Sequence, residues 1–127
     1  MTADEFSDRL WSFAARIAMV AESLPDTRSG RHVTAQLVRC GTASAPNYDE
    51  ACAAESRRDF AHKLGIAAKE MRESNGWLKF IVRTKMLPQK RIAPLIEESE
   101  HLLRMLAKSA ITARKEPPDG GRNASHP

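Results

Sequence analysis

Apolar residues recur every three or four positions through most of this chain, and this spacing constrains the fold more than any other feature. The first series advances in steps of 4, 3, 4, 3 and 4 residues. It consists of Phe6, Leu10, Phe13, Ile17, Val20 and Leu24. Such steps place the side chains on one face of an α-helix. The pattern predicts a first helix over residues 4–24, which ends before Pro25 because the residue preceding proline disfavours helical dihedrals.

Similar apolar series predict three further helices. The second continues to Glu55, and its candidate N-caps are Asp26, Thr27 and Ser29. The third covers residues 56–86 and stops before Pro88, and the fourth covers residues 89–113. The core-facing residues predicted for the third helix are Phe60, Leu64, Ala67, Met71, Leu78, Val82 and Lys85. Those predicted for the fourth helix are Ile92, Ile96, Ser99, Leu103, Leu106 and Ala110.

These helices predict an all-α fold. No stretch alternates apolar and polar residues as a β-strand does, and the chain contains no internal repeat. Four long helices with short connections can bury their apolar faces together as an up-down-up-down four-helix bundle. We therefore predict one bundle domain over residues 1–113. Residues 114–127 are rich in Pro, Gly and polar side chains, which predicts a disordered polar tail.

The second helix carries two residues that interrupt its helical pattern, Gly41 and Pro46. Proline lacks a backbone donor, and its ring clashes with the carbonyl four residues earlier, here that of Thr42. The apolar pattern resumes in phase beyond Pro46, so we predict a kink near Gly41–Pro46, or a break of one turn, within a single element. Ser44 and Asn47 fall on the inward side, where they can satisfy the carbonyl groups that the proline leaves free.

The composition of the chain limits its possible partners and its cellular compartment. Its 127 residues include 20 Lys and Arg against 16 Asp and Glu, a net charge of +4, which permits a polyanionic partner without requiring one. The first residues are acidic, and no apolar run approaches the ~20 residues of a membrane span. We therefore expect a cytoplasmic protein with no membrane partner. Cys40 and Cys52 would lie about 18 Å apart on one helix, too far for a disulfide.

The segment from Leu37 to Leu78 carries many polar residues at spacings that helical periodicity alone would not produce. It reads LVRCGTASAPNYDEACAAESRRDFAHKLGIAAKEMRESNGWL. This segment, with the Leu-Pro, Arg-His and Gln-Leu pairs before it, resembles the four-helix-bundle family named for proteins encoded in intervening sequences of 23S ribosomal RNA genes. The residues that carry the likeness include Arg39, Gly41-Thr42, Asn47-Tyr48, Glu50-Ala51, Glu55-Ser56, Asp59-Phe60, Lys69-Glu70, Glu73 and Trp77-Leu78.

The resemblance implies a left-handed bundle that assembles into a homopentameric ring. It implies no enzyme activity, because the family has no established biochemical function. More distant relatives are basic accessory proteins of diversity-generating retroelements that bind nucleic acid and a reverse transcriptase, which is an analogy of fold alone. Independent support for an oligomer comes from large apolar side chains that lie off the core-facing stripes at about 100° per residue. These candidate interface residues are Trp11, Ile66, Trp77 and Phe80.

Candidate catalytic and metal-ligating residues are few. Glu98 and His101 have the Glu-x-x-His spacing of di-metal sites in helix bundles, but the predicted helix turns both away from the core. We predict no catalytic residue, no cofactor and no metal. Polar residues around the kink and the next helix junction are Arg39, Asn47, Glu50, Glu55 and Asp59. We interpret them as a structural cluster; the alternative is a small-molecule or metal-dependent enzyme using a pocket near Asn47 and Glu55.

Basic residues concentrate at one predicted end of the bundle. In an up-down bundle, the turn between helices one and two lies at the same end as the turn between helices three and four. The candidate nucleic-acid-binding residues at this end are Arg28, Arg31, Arg83, Lys85, Lys90 and Arg91. Favourable interaction with a helix dipole explains Arg83 and Lys85 but not the four residues near helix starts. Five such ends in a ring would attract phosphate backbones, so RNA or DNA is the favoured ligand.

Overall fold

Every regular element in the described part of the chain, residues 1–115 of a computed structural model, is an α-helix. The helices are α1 (Ala3–Glu22), α2 (Arg28–Gly41), α3 (Ser44–Cys52), α4 (Arg57–Arg83) and α5 (Gln89–Lys115). Helices α2 and α3 are two parts of the predicted second helix, so the predicted all-α four-helix bundle is confirmed. The predicted disordered tail starts within the last turn of α5, and its residues 116–127 lie outside the described residues.

Each rod of the bundle packs beside two others. Helix α4 contacts α5 on one side and the α2–α3 rod on the other, while α1 contacts the α2–α3 rod and α5. The α2–α3 rod and α5 therefore occupy opposite corners, as in an up-down bundle. The largest side chains of the shared core include Phe13, Leu10, Ile17, Leu37, Leu64, Met71, Leu78 and Ile92. Within residues 1–115, no helix is both long and apolar enough to cross a membrane.

Side-chain caps determine where three of the helices begin. The Thr2 hydroxyl accepts a hydrogen bond from the Glu5 N–H at 3.0 Å, and the Glu5 carboxylate accepts one from the Thr2 N–H at 2.7 Å. This capping box lowers the pKa of Glu5, mainly through the hydrogen bond from the Thr2 backbone. Of the candidate caps for α2, Thr27 is the one used, and Ser56 caps α4 in the same way.

The second rod is interrupted where a kink or break is predicted. Helix α2 ends at Gly41 and α3 begins at Ser44, so two residues separate them. Pro46 lies in the first turn of α3, where its missing N–H costs no helical hydrogen bond. The buried Ser44 hydroxyl donates to the Ala67 carbonyl of α4 at 2.8 Å. A Cβ on Gly41 would approach Ile17 Cγ2 to 2.5 Å, so glycine permits the close approach of α1 and α2.

The buried stripe of α5 differs from the predicted one. Leu95 and Leu102 are buried, whereas the predicted Ile96 and Leu103 are half-buried at the edge of the core. The reason is that α5 packs against both α4 and α1, so its apolar stripe is wider than a single row of side chains. The apolar pattern alone does not distinguish the centre of such a stripe from its edge.

Helix α4 ends at Arg83, earlier than the predicted end near residue 86. The Lys85 N–H donates to the Val82 carbonyl at 3.1 Å, and the Met86 N–H donates to the Ile81 carbonyl at 3.0 Å. These two hydrogen bonds form a Schellman motif, which places Lys85 in the left-handed region with a φ of 58°. The predicted core position of Lys85 is therefore wrong, because its side chain is exposed, whereas Val82 is half-buried at the edge of the core and Ile81 is buried.

We expect Lys85→Gly to raise the free energy of unfolding by about 0.5–1 kcal/mol, because glycine adopts the left-handed conformation without the steric penalty of a Cβ. Equilibrium unfolding in urea measures this change. Lys85→Ala is the matched control, since it removes the same charge and keeps the Cβ. If alanine stabilised the protein as much as glycine did, the gain would come from the lost charge and not from relief of backbone strain.

Candidate nucleic-acid interface

A contact between the start of α5 and the end of α1 joins the two turns predicted to share one end. The Arg91 guanidinium donates to the Ser23 hydroxyl at 2.7 Å, and Ser23 is the C-cap of α1. The α1–α2 turn therefore lies beside the first turn of α5. All of the candidate nucleic-acid-binding residues are exposed here. They are Arg28, Arg31, Arg83, Lys85, Lys90 and Arg91, and we call this set the basic end.

Acidic side chains neutralise little of the basic end. Arg31 pairs with Asp26 at 2.8 Å, but the two side chains are 63% and 91% exposed, and ion pairs so open to solvent are weak. Among residues 1–115, no other member of the basic end has a carboxylate within ion-pair distance. The basic end therefore keeps a positive potential that favours the approach of phosphate groups.

Three further arginines, which no sequence motif marks, lie along the flank shared by α1 and α5. Arg9 donates to both carboxylate oxygens of Glu98, at 2.6 and 3.2 Å, and this pair joins the two helices. Arg9, Arg16 and Arg104 all line one groove between α1 and α5. The only available sequence signal is the seven-residue step from Arg9 to Arg16, which places both on one helix face. Nothing in the sequence indicates that this face meets α5.

Arg39 has the most partners among the residues predicted to form a structural polar cluster. Its guanidinium donates to Glu70 at 3.1 Å and to Gln36 at 3.2 Å, and it also bonds to Glu73. The Glu73 carboxylate accepts the Trp77 indole N–H at 3.2 Å as well. This network joins α2 to α4 across their outer surface, and it includes none of the other predicted members.

The other four members lie elsewhere. The Asn47 amide donates to the carbonyl of the α3 N-cap residue at 2.8 Å, so it satisfies a backbone group at the break. Glu50 accepts a hydrogen bond from Lys63 at 2.8 Å. Glu50, Glu55 and Asp59 line one shallow depression of about 370 Å³, which neither Asn47 nor Arg39 lines. The structure thus brings three of the five predicted residues together.

An apolar cavity of about 470 Å³ lies at the end of the bundle opposite the basic end. Its lining includes Phe6, Phe60, Leu64 and Met105, with Tyr48 beside them. Among residues 1–115, those lining it include no Asp, Glu or His. Burial raises the pKa of Tyr48, so its phenol stays protonated near neutral pH. Neither a carboxylate nor an imidazole of the described lining is therefore available as a general base.

Glu98 and His101, the two residues with the spacing of metal ligands, lie at the surface of the bundle. The Glu98 carboxylate is bonded to Arg9, and His101 is exposed. Within residues 1–115, no group of three or more His, Cys, Asp and Glu side chains is placed to hold a metal ion. Cys40 and Cys52 are free thiols, and burial raises the pKa of both. Raised pKa values keep the thiols protonated, which makes them poor nucleophiles and poor ligands.

The four candidate interface residues occupy two places. On α4, the Trp77 and Phe80 rings pack edge to face with centroids 5.5 Å apart, and Ile66 lies on the same helix face; we call these three the Trp77 patch. Trp77 also packs against His32 of α2. On α1, the Trp11 indole N–H donates to a carboxylate of α3 at 2.9 Å, and the side chain is 47% exposed. Both places border the α2–α3 rod.

Comparison with known proteins gives a consistent family likeness. The chain matches the sequence profile of 23S rRNA-intervening sequence proteins over residues 6–108. It is similar to a crystal structure of a protein of unknown function from the S23 ribosomal protein family of Bacteroides thetaiotaomicron. That similarity has a TM-score of 0.77 at 30% sequence identity and covers 83% of this chain and 97% of the other. No curated protein is significantly similar to this chain.

Proposed function

The chain belongs to the 23S rRNA-intervening sequence protein family, and from this premise we propose that it is a non-enzymatic binding protein that forms a homopentameric ring and binds RNA through its basic end. The proposed compartment is the cytoplasm, and the proposal includes no membrane partner and no cofactor. The pentamer is the assembly that family membership suggests. The ligand is inferred from the charge and exposure of this chain's own residues.

The observation that carries the RNA proposal is the exposed, largely unpaired charge of the basic end. Cations that neutralise phosphates release counterions, which gives affinity without base recognition. None of the six residues of the basic end is aromatic, so the binding expected from this set is electrostatic and depends little on sequence. Lys85 supports the same view, because it places a cation at a left-handed position that glycine would adopt without strain.

The assembly proposal is supported by the two aromatic places that border the α2–α3 rod. Trp11 and Phe80 are 47% and 38% exposed, and aromatic side chains of this size are typical of the centres of protein interfaces. In a closed ring, one rotation axis relates the five copies, so their basic ends would occupy equivalent positions around that axis. The ring would then carry five copies of this positive surface.

The alternative, an enzyme with a pocket near Asn47 and Glu55, has less support. The depression that holds Glu55 is shallow and open, and Asn47 does not line it. Its Glu50 carboxylate is already bonded to Lys63. The apolar cavity has no Asp, Glu or His among its described lining residues. These features favour a binding protein over a catalyst.

The test of the RNA proposal is a titration of a fluorescently labelled, structured RNA with the purified protein, followed by anisotropy. We expect binding at about 50 mM salt, and about 10³-fold weaker binding at about 200 mM if about six phosphates are neutralised. Absence of binding at the lower salt concentration would contradict the RNA proposal. The expected salt dependence would distinguish phosphate contacts from recognition through apolar surface.

Two variants with the same loss of charge show where the RNA binds. The basic-end variant carries Arg28→Gln, Arg83→Gln and Lys85→Gln. The control variant carries Arg58→Gln, Lys69→Gln and Arg72→Gln, all exposed residues of α4. We compare the ratio of the dissociation constant at about 200 mM salt to that at about 50 mM salt. The loss of three phosphate contacts should make this ratio about 40-fold smaller in the basic-end variant and leave it unchanged in the control variant. Equal effects in both variants would indicate that net charge matters and the basic end does not.

A further inference from the structure

A shallow groove runs between α1 and α5 and encloses a volume of about 700 Å³. It is lined by cations from both helices, which are far apart in the chain. The charged and titratable lining residues are Arg9, Arg16, Lys90, Glu97, Glu98, His101 and Arg104. We call this feature the α1–α5 groove. Its lining includes no Phe, Tyr or Trp among residues 1–115.

The groove has an excess of unpaired positive charge. Glu98 is occupied by Arg9 at 2.6 Å, which leaves Glu97 as the remaining acid of the described lining. Arg16, Lys90 and Arg104 are exposed, and within residues 1–115 none of these three has a carboxylate at ion-pair distance. The groove therefore offers three cations that are free to contact an anionic ligand.

The cations are spread along the helix and not gathered at one point. Lys90 and Arg104 are 14 positions apart on α5, which corresponds to about 21 Å along the helix axis. This length corresponds to about six steps of a strand at the ~3.4 Å per step of B-form DNA, and to slightly more steps of an A-form RNA duplex. A single phosphate or a small anion would contact only one end of such a row. An extended polyanion would contact the whole row.

The groove is continuous with the basic end, and the proposed assembly leaves it open. Lys90 belongs to both surfaces, and the neighbouring Arg91 fixes the start of α5 against α1 through its bond to Ser23. Trp11 and the Trp77 patch border the α2–α3 rod, which occupies the corner opposite α5. Contacts between copies through these aromatic residues would therefore not cover the groove.

We propose that the α1–α5 groove binds the phosphate backbone of duplex RNA and extends the contact surface of the basic end along the side of the bundle. This inference rests on the proposed function, because it assumes that the protein binds RNA. Apart from the imidazole of His101, the described lining offers no aromatic ring on which the bases of a single strand could stack. Duplex RNA is recognised mostly by its shape and backbone, which suits a row of exposed cations.

The test uses the full chain and a labelled RNA duplex of about 16 base pairs and mixed sequence, which is longer than the estimated six-step row. The groove variant carries Arg16→Gln and Arg104→Gln. The matched control carries Lys69→Gln and Arg72→Gln on the exposed face of α4. If two phosphate contacts are lost, the ratio of the dissociation constants at about 200 and about 50 mM salt should become about tenfold smaller in the groove variant alone.

Each remaining outcome overturns a defined part of the inference. If the groove variant matches the wild type while the basic-end variant loses affinity, the groove proposal fails and the proposed function stands. If the wild type binds no RNA at about 50 mM salt, where phosphate contacts are strong, both proposals fail. If a single strand of equal length binds more tightly than the duplex, the assignment to duplex RNA is wrong. An equal effect in the control variant would also overturn the groove as a specific surface.

Discussion

Gly30→Ala is expected to lower the free energy of unfolding by about 2–3 kcal/mol. An alanine Cβ at this position would lie 1.9 Å from the Pro25 carbonyl oxygen and 2.9 Å from the carbonyl carbon. These are backbone atoms of the α1–α2 turn, so no side-chain rotation relieves the clash. The Gly30 N–H also donates to Thr27 at 3.0 Å, which holds the start of α2 in place. The turn must open or α2 must move, and either change displaces Arg28 and Arg31 of the basic end.

Equilibrium unfolding in urea measures this effect, and the chain offers a matched control. Gly76 is exposed on α4, and no heavy atom beyond its own helix backbone and neighbours lies within 4 Å of the position that a Cβ would take. Gly76→Ala should therefore raise the free energy of unfolding by about 0.5–1 kcal/mol, the usual gain of alanine over glycine within a helix. The same added methyl group should thus have opposite effects at the two sites. A neutral Gly30→Ala would mean that the turn relaxes freely.

Trp77→Ala is expected to weaken assembly by about 2 kcal/mol for each contact between copies, or about 30-fold in its dissociation constant. The Trp77 ring packs edge to face on Phe80 at 5.5 Å and on His32 at 5.7 Å, and its indole N–H is held by Glu73. The ring is therefore held in one orientation before a partner arrives, which lowers the entropy lost on association. Sedimentation velocity over a dilution series measures the shift from the proposed pentamer to smaller species.

Because Trp77 is half-buried, its loss also affects the stability of each copy, and a control must separate the two effects. Leu103 is a half-buried side chain of α5 that packs against the core outside the Trp77 patch. Leu103→Ala should lower the unfolding free energy and leave the concentration dependence of assembly unchanged. If Trp77→Ala stayed in the wild-type assembly at the lowest measurable concentration, Trp77 would not be an interface residue.

Local chemistry made much of the fold predictable from the sequence. The apolar steps of three and four residues identify the helices because they reflect the helical repeat itself. Thr27 and Ser56 mark helix starts because a hydroxyl satisfies a backbone N–H three residues later. Gly41 and Pro46 mark the interruption because the free backbone of glycine and the missing N–H of proline both weaken a helix within one turn. Each of these signals is complete within a few neighbouring residues.

Tertiary packing determined which side chains are buried and which charged residues pair, because local signals do not encode either. Leu95 and Leu102 are buried on α5 in place of the predicted Ile96 and Leu103 because two neighbouring helices, and not one, cover that helix. Arg39 finds its carboxylate partners on α4, across the bundle surface, rather than in the predicted cluster.

The same distinction between sequence signals and tertiary packing separates the basic end from the α1–α5 groove. The sequence alone determined the basic end, because the up-down connection brings its two turns together. The groove could be identified only from the tertiary structure. The charged residues on α1 and α5 recur with the helical period, and this period does not reveal which helix lies beside which. Only side-chain packing between distant segments, such as the Arg9–Glu98 pair, selects that neighbour.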